Sequence, residues 1–152
     1  MSDVEALDVG NLAPLSARRD IALLGLIHRT VLGVGPAHFK SFFRLQPEGG
    51  RRSRGAHRLQ LVEFSGGHWS DFTLPNSRPA DYVGRSMLGL ISVYNRLPVE
   101  IVERASTVSS FQTELQRFLR YVASTGTAHW AQLFSPRIPW YRHPLSDFSA
   151  WK

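Results

Sequence analysis

The stretch YNRLPVEIVERASTVSSF, Tyr94 to Phe111, decides the fold because it joins two helical segments through a Leu-Pro break. Proline has no backbone N–H and disfavours helical geometry in the residue before it, so Leu97-Pro98 ends the preceding helix. We expect Tyr94 to anchor the end of that helix in the core. We expect the Asn95 side chain to bond the backbone groups that the break sets free.

The second half of the stretch begins new helical structure. Pro98 starts a turn of helix that continues through Val102. Ser109 and Gln112 stand in capping-box register, which predicts a helix from about Ser109 to Ala123 with Phe111 directed inward. The joint, formed by Tyr94, Asn95, Leu97, Pro98, Ser109 and Phe111, is therefore expected to clamp two helices at a set angle.

Two further long helices are predicted upstream of the joint. Asn11 and Pro14 give cap and first-turn signals for a helix from about Leu15 to Leu32, which Gly33 and Gly35 end. Asp81 can cap a helix from about Tyr82 to Arg96. Each shows apolar residues at three- and four-residue spacing, so each buries one face.

A glycine-rich loop and a short hairpin are predicted between these helices. The loop is RLQPEGGRRSRGAHR, residues 44–58, and the strand RLQLVEF follows from its last residue. Gly66-Gly67 turns this strand toward HWSDFTL as a hairpin partner. The predicted fold class is thus α+β, mostly α, with three main helices plus short helices around a small β-hairpin. Residues 1–123 form a single helical domain, and residues 124–152 form an aromatic- and proline-rich tail that either packs back over the core or is a readthrough extension.

Arginine dominates the charge of the chain. Among 152 residues, 18 are basic and 12 are acidic, and only Lys40 and Lys152 of the basic residues are lysines. The guanidinium offers a planar fork of donors that suits phosphate, which favours a polyanion as partner. Arg51, Arg52, Arg54 and Arg58 alternate with glycine and serine in a way that lets main-chain amides approach a phosphate backbone. The alternative is a solvated loop in a protein whose arginine content reflects only GC-rich coding sequence.

The residues that common catalytic and metal sites require are missing or scattered. The chain has no cysteine, its six histidines lack metal-ligand spacing, and no P-loop, nucleophile elbow or pair of adjacent aspartates occurs. A Ser-His-Asp triad assembled from distant positions, with His57 or His68 as base, stays open from sequence. We expect no catalytic activity, cofactor, metal or small-molecule ligand.

No membrane segment or leader peptide is expected either. The longest apolar run, Ile21 to Ile27, is far shorter than the roughly 20 residues of a membrane helix. The first residues are acidic, unlike a secretory or mitochondrial leader. An intracellular location, cytoplasmic or nuclear, follows by default.

Four segments in order resemble the C-terminal region, after the polymerase palm and thumb, of non-LTR (LINE-type, Jockey-like) retrotransposon reverse transcriptases. They are RRDIALLGLIHRTVLG (18–33), RRSRGAHRLQLVEF (51–64), RSMLGLISVYNRLPVEI (85–101) and SSFQTELQRFL (109–119). The family usually has tryptophan where this chain has Tyr94, and residues beyond Ala123 have no recognised counterpart. The polymerase fingers and palm and the endonuclease of the family are absent from this sequence.

The resemblance implies a noncatalytic nucleic-acid-binding module that helps to hold template RNA or target DNA. Phosphate contacts are then expected from Arg18, Arg19, Arg51, Arg52, Arg54, Arg58, Arg85 and Arg96. Two alternatives stay open. The chain is a structural piece that packs on upstream reverse transcriptase segments, or it is the nonfunctional remnant of a mobile element.

Overall fold

A computed structural model describes residues 2–10, 12–37, 39, 43–46, 57–62 and 89–148. These residues contain five α-helices: α1 (Asp3–Gly10), α2 (Leu15–Val31), α3 (Leu90–Asn95), α4 (Val99–Arg104) and α5 (Val108–Ser124). Three short 3-10 helices follow at Trp130–Gln132, Trp140–Arg142 and Pro144–Phe148. The described part of the chain is mostly helical, which confirms that part of the predicted fold class.

The core lies between the two longest helices, α2 and α5. Their inward residues are at most 3 % exposed: Ile21, Leu24 and Ile27 on α2, and Phe111, Leu115 and Phe118 on α5. Gly25 lets the helices approach closely, because a Cβ atom at this position would collide with the Gln112 side chain. The shorter helices flank this pair, with α1 and α4 against α5 and α3 against α2.

Helix α2 ends at a glycine in the left-handed region, as its sequence predicts. Gly33 has φ 81°, a conformation that glycine adopts at little steric cost. The Gly33 N–H donates to the Thr30 carbonyl at 3.0 Å, and the Val34 N–H donates to the Arg29 carbonyl at 3.1 Å. This pair of hydrogen bonds is the Schellman motif, which satisfies carbonyls at the end of the helix. At the other end Pro14 precedes the first helical residue, and Asn11 lies outside the described residues.

The Leu-Pro break separates α3 from α4. Helix α3 ends at Asn95, and α4 begins at Val99 directly after Pro98, whose φ is −56°. The predicted helix from Tyr82 to Arg96 is therefore described only from Leu90 onward, and its earlier part and its cap Asp81 lie outside the described residues.

The predicted β-hairpin is not supported. Leu61 forms an isolated antiparallel bridge with Leu45, near the start of the predicted loop, and the described residues form no strand. On the opposite edge, the Asn95 side chain accepts from the Leu61 N–H at 2.7 Å and donates to the Leu61 carbonyl at 2.9 Å. Both main-chain groups of Leu61 are thereby occupied, so a second hairpin arm has nothing to pair with at this residue. That arm, HWSDFTL, and the Gly66-Gly67 turn lie outside the described residues.

The cap predicted for the last helix is wrong by two residues. Thr107 is the N-cap of α5, and its hydroxyl accepts from the Ser110 N–H at 3.1 Å while the Ser110 hydroxyl accepts from the Thr107 N–H at 3.3 Å. Ser109 is exposed within the first turn, where its carbonyl accepts from the Thr113 hydroxyl. The sequence offers two overlapping capping boxes, and α5 uses the earlier one.

This difference gives a simple test of the cap. Thr107→Ala should lower the free energy of unfolding by about 1 kcal/mol, because it leaves an N–H of the first turn without its acceptor. Ser109→Ala should change it by less than about 0.5 kcal/mol, as is usual at exposed positions. Urea denaturation of the two variants measures both values. An equal or larger loss for Ser109→Ala would contradict the cap described above.

The aromatic-rich segment after α5 packs against the core, one of the two alternatives that the sequence left open. Leu133, Phe134 and Leu145 are at most 1 % exposed. The Phe134 ring lies 6.2 Å from that of Phe118 on α5. Residues of the first 3-10 helix contact both α2 and α5, so this segment covers one end of the helix pair.

Candidate nucleic-acid interface

The joint is built around Tyr94, which is fully buried at the end of α3. Its hydroxyl lies 2.9 Å from Nδ1 of His28, and Nε2 of His28 lies 2.9 Å from the Ala105 carbonyl oxygen. Because a carbonyl only accepts, Nε2 carries the proton, and Nδ1 accepts from the Tyr94 hydroxyl. Burial lowers the pKa of His28 against the opposing effect of its hydrogen bond to Ala105, and burial raises the pKa of Tyr94. Both side chains are therefore neutral near pH 7, and they tie α2 to α3 and to the end of α4.

A second set of hydrogen bonds fixes residues 57–61 on the joint. His57 is fully buried, and its Nε2 donates to the Tyr94 carbonyl at 2.8 Å while its Nδ1 accepts from the Leu59 N–H at 3.1 Å. Gln60 donates to the Asn95 carbonyl at 2.9 Å. The carbonyl freed at the end of α3 is thus bonded by Gln60, and the Asn95 side chain bonds Leu61 rather than the break itself. The joint therefore holds the end of the arginine-rich loop in place.

Four of the eight predicted arginines lie in the described residues. Arg58 has an 83 % exposed side chain whose Nε is 4.0 Å from the Glu103 carboxylate, so it is paired loosely with an acid of α4. Arg18 and Arg19 are exposed near the start of α2, and Arg96 is exposed after α3. Arg51, Arg52, Arg54 and Arg85 lie outside the described residues.

Arg96 is held over an aromatic ring. Its guanidinium carbon lies 4.0 Å from the centre of the Trp140 ring, and its Nη1 donates to the Ser92 carbonyl at 3.1 Å. A guanidinium at this distance from an indole face gains a cation–π attraction of about 0.5–1 kcal/mol at an exposed site. His143 also lies against Trp140, with ring centres 4.3 Å apart, and its own Nε2 donates to the Ser135 carbonyl. The Trp140 ring therefore positions Arg96 rather than offering an open face.

The neighbouring residues add two more cations and one open aromatic side chain. Arg137 and Arg142 are exposed, and neither forms an ion pair with a residue in the described ranges. Tyr141, between Trp140 and Arg142, is 86 % exposed. We call Arg96, Arg137, Trp140, Tyr141 and Arg142 the Trp140 surface. It combines guanidinium groups with an accessible ring, as proteins that bind single strands do.

A cleft of about 260 Å³ lies beside this surface, between α2 and the segment after α5. Arg19 and Asp20 line it from α2, and Gln132 and Arg137 line it from the opposite side. Asp20 is only 5 % exposed. Burial raises the pKa of Asp20 to about 6, although the charges of Arg19 and Arg137 oppose this shift. One predicted arginine, Arg19, thus lies on the opposite side of the cleft from Arg137.

The segment RIPWYR, residues 137–142, contributes most of this region, and it was not among the predicted site residues. Two arginines that flank a Trp-Tyr pair are a recognisable signal for stacking combined with phosphate contact. No local sequence pattern predicts that Asp20 lies opposite Arg137, because the two residues are distant in sequence.

The described residues offer little for the catalytic and metal sites considered above. His57 uses both ring nitrogens on main-chain groups, and His68 lies outside the described residues. No group of three or more histidine, aspartate or glutamate side chains in the described part of the chain could hold a metal ion. None of the described helices has the length and apolar character that crossing a bilayer requires.

Comparison of the chain with protein-family models, with curated proteins and with solved structures finds no match.

Proposed function

We propose that this protein is a noncatalytic module that binds an RNA or DNA strand through phosphate contacts at the Trp140 surface. The observation that carries the proposal is the grouping of three exposed arginines, Arg96, Arg137 and Arg142, around one short aromatic segment. Such a module works inside the cell, where its nucleic acid is found.

The electrostatics of the surface favour an anionic partner. Neither Arg137 nor Arg142 lies within ion-pair distance of an acidic side chain in the described part of the chain, although the charge of Arg137 acts on Asp20 across the cleft. Arg58 and Arg117, in contrast, pair with Glu103 and Glu114. A phosphate that binds them replaces water without displacing an internal ion pair. The planar guanidinium also matches two phosphate oxygens at once.

The aromatic residues favour a strand with accessible bases. Tyr141 is 86 % exposed, whereas Tyr94 and Phe111 are fully buried in the core. A base that stacks on an exposed aromatic ring gains about 1–3 kcal/mol with little dependence on sequence. Arg142, the next residue in the chain, and Arg96, which packs on the neighbouring Trp140, can then contact flanking phosphates.

The resemblance to the C-terminal region of non-LTR reverse transcriptases supports the same proposal. Residues 94–98 of the joint belong to one of the four segments that carry this resemblance, and Arg96 among them contacts Trp140. The predicted arginine-rich loop ends at Arg58, which lies between two residues that the joint holds by hydrogen bonds, His57 and Leu61.

The proposal predicts binding that weakens with salt and depends on this surface. An Arg137→Gln/Arg142→Gln variant should bind fluorescent U12 RNA about tenfold more weakly at low salt, because two phosphate contacts are lost. The slope of log K against log salt should fall by about 0.7 for each contact removed. Fluorescence anisotropy with U12, an RNA hairpin and a DNA duplex measures both quantities and compares the three partners.

A matched control removes the same charge elsewhere. Arg104→Gln/Arg117→Gln has the same net charge as the test variant, but these residues lie at the end of α4 and on α5. It should keep nearly the wild-type affinity and slope. An equal loss of affinity in both variants would show that binding depends only on the net charge of the protein. Micromolar or weaker binding that does not change with salt would refute the proposal.

A second candidate function has an observation of its own. Three apolar side chains where α1 meets α2 are widely exposed, with Val9 at 82 %, Leu12 at 57 % and Leu15 at 74 %. Exposed apolar residues this close together are typical of a protein-contacting surface. The chain would then be a structural piece that packs on upstream reverse transcriptase segments. Dye binding and self-association without affinity for RNA or DNA would favour this candidate over the first.

A further inference from the structure

The cleft beside the Trp140 surface is lined by the Asp20 carboxylate, which no residue of the described part of the chain bonds. Asp20 is 95 % buried by accessible area, and the described residues form no hydrogen bond or ion pair with its side chain. Buried polar groups usually have a partner, since burying a carboxylate without one is costly. A carboxylate in this condition, on the wall of a cleft, points to a ligand that donates hydrogen bonds.

The charges around the carboxylate restrict the kind of ligand. Arg19 and Arg137 both line the cleft and both have exposed side chains, so the local charge of the three groups is positive. A lysine or arginine side chain from a partner protein would meet two guanidinium groups on its way to Asp20. The ligand that suits all three groups is an anion that also carries neutral N–H donors.

The size and walls of the cleft restrict the ligand further. Its volume of about 260 Å³ is slightly below the roughly 300–1,000 Å³ of drug-sized pockets. Leu23, Leu90 and Ile138 give it apolar walls, which suit a flat ring. Gln132 adds an amide that can donate to a carbonyl oxygen. The space holds one nucleoside-sized group.

We infer that the cleft binds one unpaired guanine of a single strand, with its N1–H and N2 amino group donating to the Asp20 carboxylate and the adjoining phosphates facing Arg19 and Arg137. Guanine is the natural base with two adjacent donors on its pairing edge. Adenine and cytosine place a ring acceptor beside their amino group, and uracil has one N–H between two carbonyls. Recognition of splayed-out bases on this edge is common in sequence-specific RNA binding. The inference rests on the proposed function and adds a base preference to it.

The test compares two RNA strands on the full chain. Labelled U12 and U12 with a single central guanine are titrated by fluorescence anisotropy, and GMP is compared with AMP, CMP and UMP by calorimetry. Wild-type protein should prefer the guanine-containing strand by about tenfold, in line with one good bidentate base contact. Asp20→Asn should abolish this preference and keep the affinity for U12, since an amide offers one acceptor in place of two.

Two controls distinguish a loss of guanine recognition from a general change in charge and from a loss of fold. Asp8→Asn makes the same chemical change on an exposed residue of α1 and should keep the guanine preference. Thermal unfolding of Asp20→Asn shows that a lost preference does not come from a lost fold. Equal affinity for both strands, or preferential binding of argininamide over GMP, would overturn the guanine inference and leave the salt-dependent binding of U12 standing. Absence of binding to U12 would instead refute the proposed function.

Discussion

Tyr94→Ala should lower the free energy of unfolding by about 3–5 kcal/mol, the range typical of large aromatic residues removed from a core. Tyr94 has no exposed surface, and its ring is within 6.1 Å of the rings of His28, His57 and Phe111. Removing it leaves a cavity where four segments of the chain meet. It also removes the hydroxyl that donates to His28. Small domains are stable by only about 5–15 kcal/mol, so the variant should be close to unfolding at room temperature.

Two companion variants separate the causes of this loss. Tyr94→Phe keeps the ring and removes the donor to the buried His28 nitrogen, which should cost about 1–3 kcal/mol. Tyr141→Ala removes the same side chain from an 86 % exposed position and should change stability by less than about 0.5 kcal/mol. Urea denaturation followed by far-UV circular dichroism measures all three. A Tyr94→Ala loss no larger than that of Tyr141→Ala would show that the joint is not the centre of the core.

The helices around the joint were predictable because their signals are local. A proline after leucine ends a helix wherever it occurs, and the apolar stripes of α2 and α5 follow helical spacing over four turns. Gly33 likewise marks the end of α2 through its own backbone preference. Such features require no knowledge of what the helix packs against.

Two local signals were available and were missed or misread. Ser2 and Glu5 form a capping box for α1, with the Glu5 N–H donating to the Ser2 hydroxyl at 3.2 Å and the Ser2 N–H donating to the Glu5 carboxylate at 2.7 Å. For α5, Thr107 and Ser109 are both good caps by residue type. The choice between them depends on where α4 ends, which the sequence between the two helices does not fix.

The hairpin and the candidate site depend on contacts between distant residues. Leu59 and Leu61 alternate as a strand does, but Asn95, 34 residues further along the chain, satisfies the Leu61 main chain. The arginine bias indicated an anionic partner, whereas the meeting of Arg96 with Trp140 depends on how the last segment folds back. Composition therefore bears only on the proposed class of partner, whereas tertiary packing decides which arginines lie near an aromatic ring.

Asp20→Asn should raise the free energy of unfolding at pH 7 by up to about 3 kcal/mol, since each unit of pKa difference corresponds to about 1.4 kcal/mol. Burial raises the pKa of Asp20 to about 6 from its usual 3.8, against the attraction of Arg19 and Arg137. Above pH 6 the folded protein therefore contains a buried carboxylate that the unfolded chain would solvate. Asparagine has no charge, so the variant does not bear this cost.

Because the pKa of Asp20 is higher in the folded than in the unfolded state, the stability gained by Asp20→Asn depends on pH in a defined direction. Below about pH 3.8 the carboxyl group is protonated in both states, so the variant and the wild type should be equally stable. Between pH 3.8 and 6 the folded wild type binds a proton that the unfolded chain has lost, so its stability falls as the pH rises. The advantage of the variant should therefore grow through this window and stay constant above it.

The difference in the free energy of unfolding between wild type and variant separates the contribution of Asp20 from that of the buried histidines. Burial lowers the pKa of His28 and of His143, so both make the folded state less stable as the pH falls below 6.5, the reverse of the Asp20 effect. Their contribution is common to wild type and variant, and it cancels when urea denaturation curves are subtracted at each pH. A variant less stable than wild type at pH 7 would mean that the ionised carboxylate is bonded within the fold, and Asp20 would then be unsuited to bind a base.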